Sequence, residues 1–325
     1  MKDIIITGGS GFIGSHIVEK FCENKYNIIV LDLWQSQEIL DLSKKVKNLK
    51  FKKININDFD EIEKVFKDYN HLVHFAAILG TSETITTYDV EDVVKTNILG
   101  TTKLLKLAKK YKFKKVLIPT TPDVTWLNPY KITKQAVEKI AQLFSHEYHL
   151  DVTCIKLGNI YGPRERWLQA GFNAPFNYQK IIPSFIMDTL MKNEITIYGD
   201  GMQKSEYIYI DDVSETFLRA IQHTGNVGTE VIHVGRGQNN SVIDIIDALE
   251  KVWNKKLNKK FTKMRPGEHK IEISLNPKPL KKHFNYELQW SLEDGLKKTI
   301  PYYEEQYKLN KKKSDSWSYY LYHQL

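Results

Sequence analysis

The 325-residue sequence has few cysteines and no long apolar run. The two cysteines, Cys22 and Cys154, match neither a disulfide framework nor a zinc-ligand spacing, so we expect reduced thiols and no metal site. A membrane helix needs about 20 consecutive apolar residues, and the apolar runs here are far shorter. A strand-like segment begins at residue 3, so we expect no leader peptide and a cytoplasmic protein without membrane contact.

The net charge of +8 raises the possibility of nucleic-acid binding, but its distribution argues against it. Lysines supply most of the charge and are scattered over predicted helix faces and turns. The only run, Lys311-Lys312-Lys313, lies in a polar tail. We therefore expect no nucleic-acid partner, whereas a positive field would attract a small anionic substrate.

Glycines number only 17, yet three of them cluster directly after the first predicted strand. The apolar segment Ile4–Thr7 runs into Gly8, Gly11 and Gly14, and a helix follows at once. Gly8 permits a tight turn, Gly11 allows the backbone to approach a pyrophosphate, and Gly14 allows close packing of helix on strand. The phosphates then lie at the positive end of the helix.

The second predicted strand strengthens this interpretation. It covers 27–32 and ends in Asp32, 18 residues after Gly14. A carboxylate at this point accepts hydrogen bonds from an adenosine ribose and repels a 2′-phosphate. A glycine turn or a capping aspartate explains either feature alone, but the two together predict NAD as the cofactor.

Strand and helix patterns alternate through the first half of the chain. Strands are predicted at 3–7, 27–32, 49–54, 71–75, 114–120 and 152–157, and helices at 12–24, 37–46, 59–68, 90–111 and 129–148. This alternation predicts an α/β fold, a Rossmann-type doubly wound parallel sheet with helices on both faces. Residues 1–158 are the expected NAD-binding domain, with the ligand at the carboxyl ends of the strands.

After Gly158 the pattern changes to short strands among aromatics, prolines and glycines. Strands are predicted at 194–198, 206–210 and 230–234, and helices at 211–223, 241–253 and 291–306. We expect residues 159–307 to form a smaller substrate domain with returns to the main sheet. Residues 308–325, rich in lysine and tyrosine, are either a frayed tail or a packing arm.

A possible catalytic group follows the fifth strand. Tyr130 and Lys134 are four residues apart on a predicted helix and share one face. A lysine ammonium near a phenol favours the phenolate, which can remove the proton of an alcohol while hydride leaves for nicotinamide. Thr121, preferred over Thr120, ends the preceding strand and is placed to hydrogen-bond the same substrate oxygen. Alternatively, Tyr130 and Lys134 lie at helical spacing by chance, and Thr120 and Thr121 are turn residues.

These motifs together resemble the extended short-chain dehydrogenases/reductases, in the NAD-dependent nucleotide-sugar epimerase/dehydratase family. The resemblance runs from Met1 to about Tyr303. Besides the glycine turn and the Tyr130/Lys134 pair, it includes the segments 73–77, 96–101, 157–163, 198–201, 209–213 and 265–268.

The resemblance implies further site residues. The expected cofactor-binding set is Gly8, Gly11, Phe12, Ile13, Gly14, Asp32, Asn55, Ile56, Ala76, Ala77, Asn97, Tyr130 and Lys134. The expected substrate-binding set is Asn159, Arg164, Lys204 and Arg265. Arg265 would pair with the diphosphate through its two-pronged guanidinium, or alternatively form a salt bridge with Glu268. Asn159 would bind near the phosphates or serve as a turn residue.

The sequence also departs from the family pattern. Asn55 replaces the usual aspartate, and Lys204 stands where many relatives have arginine, so Lys204 or Arg164 is expected to substitute. Only eight residues separate Thr121 from Tyr130, which predicts an active site that is more open on the side of the sugar. Trp126 replaces a glycine and is expected to form a wall of the site instead. Asp123 stands at the acid position of sugar 4,6-dehydratases, yet as a helix cap it would need no catalytic role.

The resulting expectation is an enzyme that oxidises C4 of a nucleotide-linked hexose or heptose, as a 4-epimerase or a 4-dehydrogenase, in surface-polysaccharide precursor synthesis. A 4,6-dehydratase using Asp123 is the alternative, and a non-catalytic dinucleotide-binding regulator is a more remote one. The resemblance also implies a homodimer through a four-helix bundle of the helices carrying Asn97 and Tyr130. Apolar residues on these helices, Leu104, Leu107, Ile140 and Leu143, would equally suit an intramolecular core.

Overall fold

The computed structural model describes residues 3–168, 178–268 and 272–311. Its strands are β1 Asp3–Thr7, β2 Asn27–Asp32, β3 Leu49–Lys53, β4 His71–His74, β5 Lys115–Thr120, β6 Val152–Leu157, β7 Asn159–Tyr161, β8 Trp167–Leu168, β9 Tyr178–Gln179, β10 Ile195–Tyr198, β11 Lys204–Ser205, β12 Tyr207–Tyr209, β13 Ile232–Val234, β14 Asn240–Ser241 and β15 Lys259–Thr262.

The helices lie between these strands and after them. They are α1 Phe12–Glu23, α2 Gln37–Lys45, α3 Phe59–Phe66, α4 Glu83–Thr86, α5 Val90–Val94, α6 Thr101–Lys110, α7 Pro129–His146, α8 Ile181–Lys192, α9 Ile210–Gln222, α10 Val242–Trp253, α11 Lys278–Phe284 and α12 Leu292–Lys311. A π-helical turn, Lys95–Gly100, joins α5 to α6.

Seven parallel strands form the main sheet, in the order β13-β6-β5-β4-β1-β2-β3. The chain winds outward from β1 in one direction to β3 and then, through β4, in the other direction. This confirms the predicted Rossmann-type doubly wound fold. The reversal between β1 and β4 creates a crevice at the carboxyl ends of these strands, where such folds bind ligands.

The side chains of each strand divide between two hydrophobic cores, one on each face of the sheet. In β1, Ile4 and Ile6 enter the core under α1 and α9, whereas Ile5 enters the core under α3, α6 and α7. This alternation follows from the two-residue period of a strand. Burial of both faces explains why these strands read as continuous apolar runs.

The later part of the chain forms small two-stranded sheets, β12 with β7, β10 with β15, and β11 with β14. The buried Glu206 joins several of its segments, because its carboxylate accepts hydrogen bonds from the backbone N–H groups of Arg236, Gly237 and Leu275. One strand from this part, β13, pairs in parallel with β6 and belongs to the main sheet.

Two predicted helices need correction. The helix predicted over 90–111 is interrupted by the π-helical turn at Lys95–Gly100, where Asn97 is buried and hydrogen-bonded away from the helix. The helix predicted over 291–306 continues to Lys311, so the segment 308–311 is helical rather than tail. Residues 312–325 and 169–177 lie outside the described residues. Within the described part, no helix is long and apolar enough to cross a membrane.

Candidate active site

The glycine turn between β1 and α1 has the geometry that a bound pyrophosphate needs. Gly8 has a positive φ of 69°, and a Cβ there would lie 2.5 Å from the backbone nitrogen of Ala76. A Cβ on Gly14 would collide with the carbonyl oxygen of Gly8. Gly11 caps α1 without any side-chain hydrogen bond, which leaves the N–H groups of the first turn available to phosphate oxygens.

Asp32 lies at the carboxyl end of β2, beside this turn. Its Oδ2 accepts a hydrogen bond from the Ser10 N–H at 2.9 Å, and its Oδ1 accepts one from the Leu33 N–H at 2.8 Å. Burial raises the pKa of the Asp32 carboxyl, and these backbone donors and the charge of Arg166 oppose the shift. The carboxylate is thus oriented by the backbone and keeps lone pairs that can accept hydrogen bonds from a ribose.

A hydrogen-bonded chain of buried groups connects β1, β4 and the π-helical turn. Thr101 Oγ1 donates to the carbonyl oxygen of Asn97 at 2.6 Å, so it accepts from His74 Nε2 at 2.9 Å. His74 Nδ1 then accepts from Thr7 Oγ1 at 2.6 Å, and Thr7 Oγ1 accepts from the Ala76 N–H at 3.4 Å. Burial lowers the pKa of His74 to about 3, so the ring is neutral in this chain.

The segment after β4 is held by Asn97. The Asn97 amide accepts from the backbone N–H of Ile78 at 2.8 Å and donates to its carbonyl oxygen at 2.9 Å. The same Nδ2 donates to Thr133 Oγ1 at 3.0 Å. These bonds position Ala76 and Ala77 between the glycine turn and helix α7.

Asn55 and Ile56 follow β3 at the far end of the crevice. Asn55 is exposed, and its Oδ1 accepts a hydrogen bond from the Asn57 N–H at 2.9 Å. Ile56 is buried against Gly100, where a Cβ would lie 3.1 Å from Ile56 Cδ1. Phe12 and Ile13 are half-buried in the first turn of α1.

Helix α7 begins in a way that fixes the orientation of Tyr130. The side chain of Asn128 caps the helix by accepting a hydrogen bond from the Lys131 N–H at 2.9 Å, and Pro129 occupies the first helical position. Tyr130 is half-buried in this first turn. Lys134, one turn further on, is buried, and burial lowers its pKa to about 8, opposed by the charge of Glu138.

Thr120 ends β5, and Thr121 is the first residue of the loop that leads into α7. Both hydroxyl oxygens are buried, and neither has a hydrogen-bond partner within the described residues. Buried polar atoms without partners are rare in folded proteins. Their position beside the start of α7 makes either hydroxyl suited to bind a substrate oxygen near Tyr130.

Asp123 is mainly exposed and is paired with a buried lysine. Its side chain is 70% exposed, and its Oδ2 lies 2.6 Å from Lys156 Nζ. Lys156 is buried in β6 and also binds Glu138 Oε1 at 3.2 Å. Asp123 therefore belongs to an ion-pair cluster at the rim of the crevice.

The predicted substrate residues occupy different positions. Asn159 is exposed at the start of β7, next to the half-buried Tyr207, to which its side chain hydrogen-bonds. Arg265 lies over the Tyr198 ring, 5.0 Å from its centre, and its Nε donates to Glu268 Oε2 at 3.0 Å. The salt bridge with Glu268 is thus formed in the structure.

Lys204 and Arg164 do not occupy one common site. Lys204 is exposed in β11. Arg164 contacts helix α1, where its Nη2 lies 2.7 Å from Glu19 Oε2. No contact within the described ranges joins Arg164 to Lys204 or Arg265.

Sequence reasoning missed two basic residues at the crevice. Arg166 stacks on Trp34, with its guanidinium carbon 4.7 Å from the ring centre, close to Asp32. Lys131 is buried beside Tyr130, with Nζ 6.0 Å from the ring centre. Lys131 was visible in the sequence as a lysine in the first turn of helix α7, but a lysine is normally expected on the surface.

Comparisons with known proteins agree with this geometry. A model of the NAD dependent epimerase/dehydratase family matches residues 4–235, so the chain belongs to this family. It is accordingly an enzyme of the short-chain dehydrogenase/reductase type that uses NAD and acts on nucleotide sugars.

Individual relatives span nearly the whole chain. A UDP-glucuronate 4-epimerase of Thermodesulfobacterium geofontis is 28% identical over 94% of this chain and 98% of its own length. The UDP-glucuronic acid 4-epimerase of Bacillus cereus, solved with UDP-glucuronic acid and NAD, superposes with a TM-score of 0.82, 26% identity and coverage of 94% and 100%. The UDP-glucose 4-epimerase of Thermotoga maritima, solved with UDP-glucose, superposes with a TM-score of 0.79 and 29% sequence identity. The match covers 94% of this chain and 99% of that one.

Proposed function

We propose that this enzyme is a 4-epimerase of a nucleotide-linked hexose or heptose. The observation that carries the proposal is the partnerless, buried hydroxyl of Thr121 at the start of the loop into α7, whose first two turns bear Tyr130 and Lys134. A hydroxyl, a phenol and an ammonium are the groups that alcohol oxidation with proton removal requires. NAD, when bound, supplies the hydride acceptor for C4 of the sugar.

Each of the three side chains has a distinct task in this reaction. Tyr130 removes the proton of the sugar 4-hydroxyl. Lys134 holds positive charge near the phenolic oxygen and so favours its ionised form. Thr121 hydrogen-bonds the same sugar oxygen and keeps it aligned. Reduction of the resulting ketone from its opposite face, with Tyr130 returning the proton, gives the C4 epimer.

The environment of Asp123 favours epimerisation over 4,6-dehydration. A dehydratase needs a base for the C5 proton and an acid for the departing 6-hydroxyl. Asp123 is the carboxylate nearest in sequence to Thr121, and it is turned to solvent and paired with Lys156. Pro122, next to it, has no proton to give.

For the nucleotide, Asn159, Arg265 and Lys204 are the proposed ligands. Arg265 holds two of its N–H groups on Glu268. An arriving diphosphate would therefore compete with Glu268 for the guanidinium. Arg164, paired with Glu19 on α1, is proposed to contribute charge only.

We further propose a homodimer formed by α5, α6 and α7. Leu104 is fully buried in the core, Leu107 and Ile140 are partly buried and pack against this core, and Leu143 is exposed. Other large apolar side chains exposed on the same helices and the π-helical turn are Val90, Val94, Leu99 and Ile132. A second copy would cover this surface.

The test is mass spectrometry and chromatography of products formed from a panel of nucleotide sugars with NAD in heavy water. An epimerase gives a new chromatographic peak of unchanged mass that disappears in Tyr130→Phe. Loss of two hydrogens would indicate a released ketone from a dehydrogenase. Loss of water with deuterium gained would indicate the dehydratase and assign Asp123 as its base. No product from any sugar would favour a regulatory protein.

A further inference from the structure

Lys131 is a buried lysine whose charge is not matched by the protein. Its residue surface is 7% exposed. Its ammonium makes no hydrogen bond and no ion pair with any residue in the ranges 3–168, 178–268 and 272–311, and its Nζ lies 6.0 Å from the centre of the Tyr130 ring. An unpaired charge in such a position is costly to bury. The site therefore favours an anion supplied from outside the chain.

The charges around Lys131 add to this preference. Lys134 on α7, Lys156 on β6 and Lys180 before α8 all act on it, and Asp123 in the β5–α7 loop is the acid that acts on it. Asp123 and Glu138 are already engaged by Lys156. Lys131, Lys134 and Lys156 thus share Asp123 and Glu138, whereas Lys180 also interacts with Glu165. Burial lowers the pKa of Lys131 to about 8, so it is still largely protonated at neutral pH.

The position of Lys131 next to Tyr130 indicates which part of a substrate would contact its ammonium group. If Tyr130 acts on the 4-hydroxyl, groups on the carbons next to C4 lie closest to the Tyr130 ring. C6 is attached to C5, the neighbour of C4, whereas the diphosphate is attached to C1 on the opposite side of the sugar ring. The anion at Lys131 would therefore be on the sugar itself.

We propose that Lys131 recognises a carboxylate at C6, so that the preferred substrate is a nucleotide-linked hexuronate. The proposal rests on C4 chemistry at Tyr130. A neutral 6-hydroxymethyl group would leave the ammonium without a counter-ion, whereas a carboxylate forms a charge-assisted hydrogen bond with it. Lys131 is thus a specificity-determining residue, separate from the three groups assigned to the chemistry.

The experiment compares UDP-glucuronate with UDP-glucose, which differ only at C6, using NAD-loaded full-length protein. The variants are Lys131→Met, which removes the charge, and Lys131→Arg, which keeps it. Lys139→Met is the matched control, because Lys139 is exposed on the same helix and donates to Gln142. kcat/KM is measured for epimerisation, and Kd for each sugar by calorimetry.

The proposal predicts a wild-type preference for UDP-glucuronate that Lys131→Met reduces by about 10- to 100-fold, the range of a charge-assisted hydrogen bond. Lys131→Met should change kcat/KM and Kd for UDP-glucose little and leave the melting temperature nearly the same. Lys139→Met should keep the wild-type preference, and Lys131→Arg should keep most of it. Equal losses for both sugars, or a wild-type preference for UDP-glucose, would overturn it. If neither sugar is converted, the proposed function fails, and the Kd ratio still tests Lys131 independently.

Discussion

The side-chain amide of Asn97 and the backbone of Ile78 exchange a reciprocal pair of hydrogen bonds, at 2.8 and 2.9 Å. This pair forms where the helix after β4 widens into a π-helical turn. Such turns are frequent at functional sites, because the extra residue re-aims a side chain. Here the re-aimed amide fixes the segment carrying Ala76 and Ala77 against helix α7.

Replacing Asn97 by alanine should therefore weaken both the fold and cofactor binding. The two backbone groups of Ile78 lose their partner and the Thr133 hydroxyl loses one of its two hydrogen bonds, at a cost of about 2–4 kcal/mol. Urea unfolding measures the stability, and the absorbance of released NAD measures occupancy. Asn57→Ala, which removes one hydrogen bond to Thr96, is the control and should cost less than about 1 kcal/mol. Equal effects of the two variants would contradict this role.

Thr121→Val should abolish most turnover without loss of stability. The Thr121 hydroxyl has no partner within the described residues, so its removal leaves no broken hydrogen bond in the free enzyme. We expect kcat to fall by about 10-fold or more, the weight of one substrate hydrogen bond in the transition state, while the melting temperature stays equal or rises. Thr120→Val is the matched variant, and a larger activity loss there would reassign the role to Thr120.

Acid should destabilise the protein through its buried histidines. Burial lowers the pKa of His74 from 6.5 to about 3 and that of His16 to about 4. Between these pKa values and 6.5, the histidines are protonated in the unfolded chain but not in the folded chain. The free energy of unfolding therefore falls as the pH drops from about 6.5, by up to about 1.4 kcal/mol per pH unit for each histidine. His74→Gln should flatten the slope of unfolding free energy against pH between 6 and 4, measured in urea, and an unchanged slope would contradict this contribution.

Substrate preference should depend on pH if Lys131 binds a carboxylate. The pKa of Lys131 is lowered to about 8, first by burial and then by the lysines around it. Below this pH the ammonium is charged and favours the acidic sugar; above it the preference falls. The ratio of kcat/KM for UDP-glucuronate to that for UDP-glucose removes contributions from Tyr130 and Lys134, which act on both sugars. A ratio constant from pH 7 to 9.5 would exclude Lys131.

A charge on the exposed face of α7 should prevent dimer formation. Leu143 is 46% exposed on this helix, and Leu143→Glu would place a carboxylate in the proposed interface. Light scattering should show a dimer for the wild type and a monomer for this variant. Met202→Glu, at a residue 47% exposed in the other part of the chain, is the control and should stay dimeric. A monomeric wild type would refute the proposal.

Most of the main sheet was predictable from the sequence. Strands β1, β2 and β6 are mainly apolar and have the predicted bounds. The position of the glycine turn after β1 and that of Asp32 at the end of β2 were predictable as well, because both follow from residues close together in the sequence. The short strands after β6 were less visible, since pairs of two or three residues depend on contacts distant in sequence.

The surroundings of the predicted site residues were less predictable than the strands of the main sheet. The pattern of residues 90–111 is that of one amphipathic helix, and the interruption arises from the contact of Asn97 with Ile78, which is not local. Lys131 and Lys156 read as surface residues because lysine is rarely buried. The burial of Lys156 depends on its ion pairs with Asp123 and Glu138, and that of Lys131 on the packing of α7 against the sheet, which only the folded chain brings about.

The pairing of β13 with β6 has a practical consequence for how this chain can be divided. Without Ile232–Val234, strand β6 would end the sheet as an unpaired edge made of buried residues. Exposed apolar edges template intermolecular pairing. A fragment that stops at residue 158 is therefore expected to aggregate when expressed alone. A chain cut between the two strands would stay associated, because its second piece remains anchored in the sheet of the first.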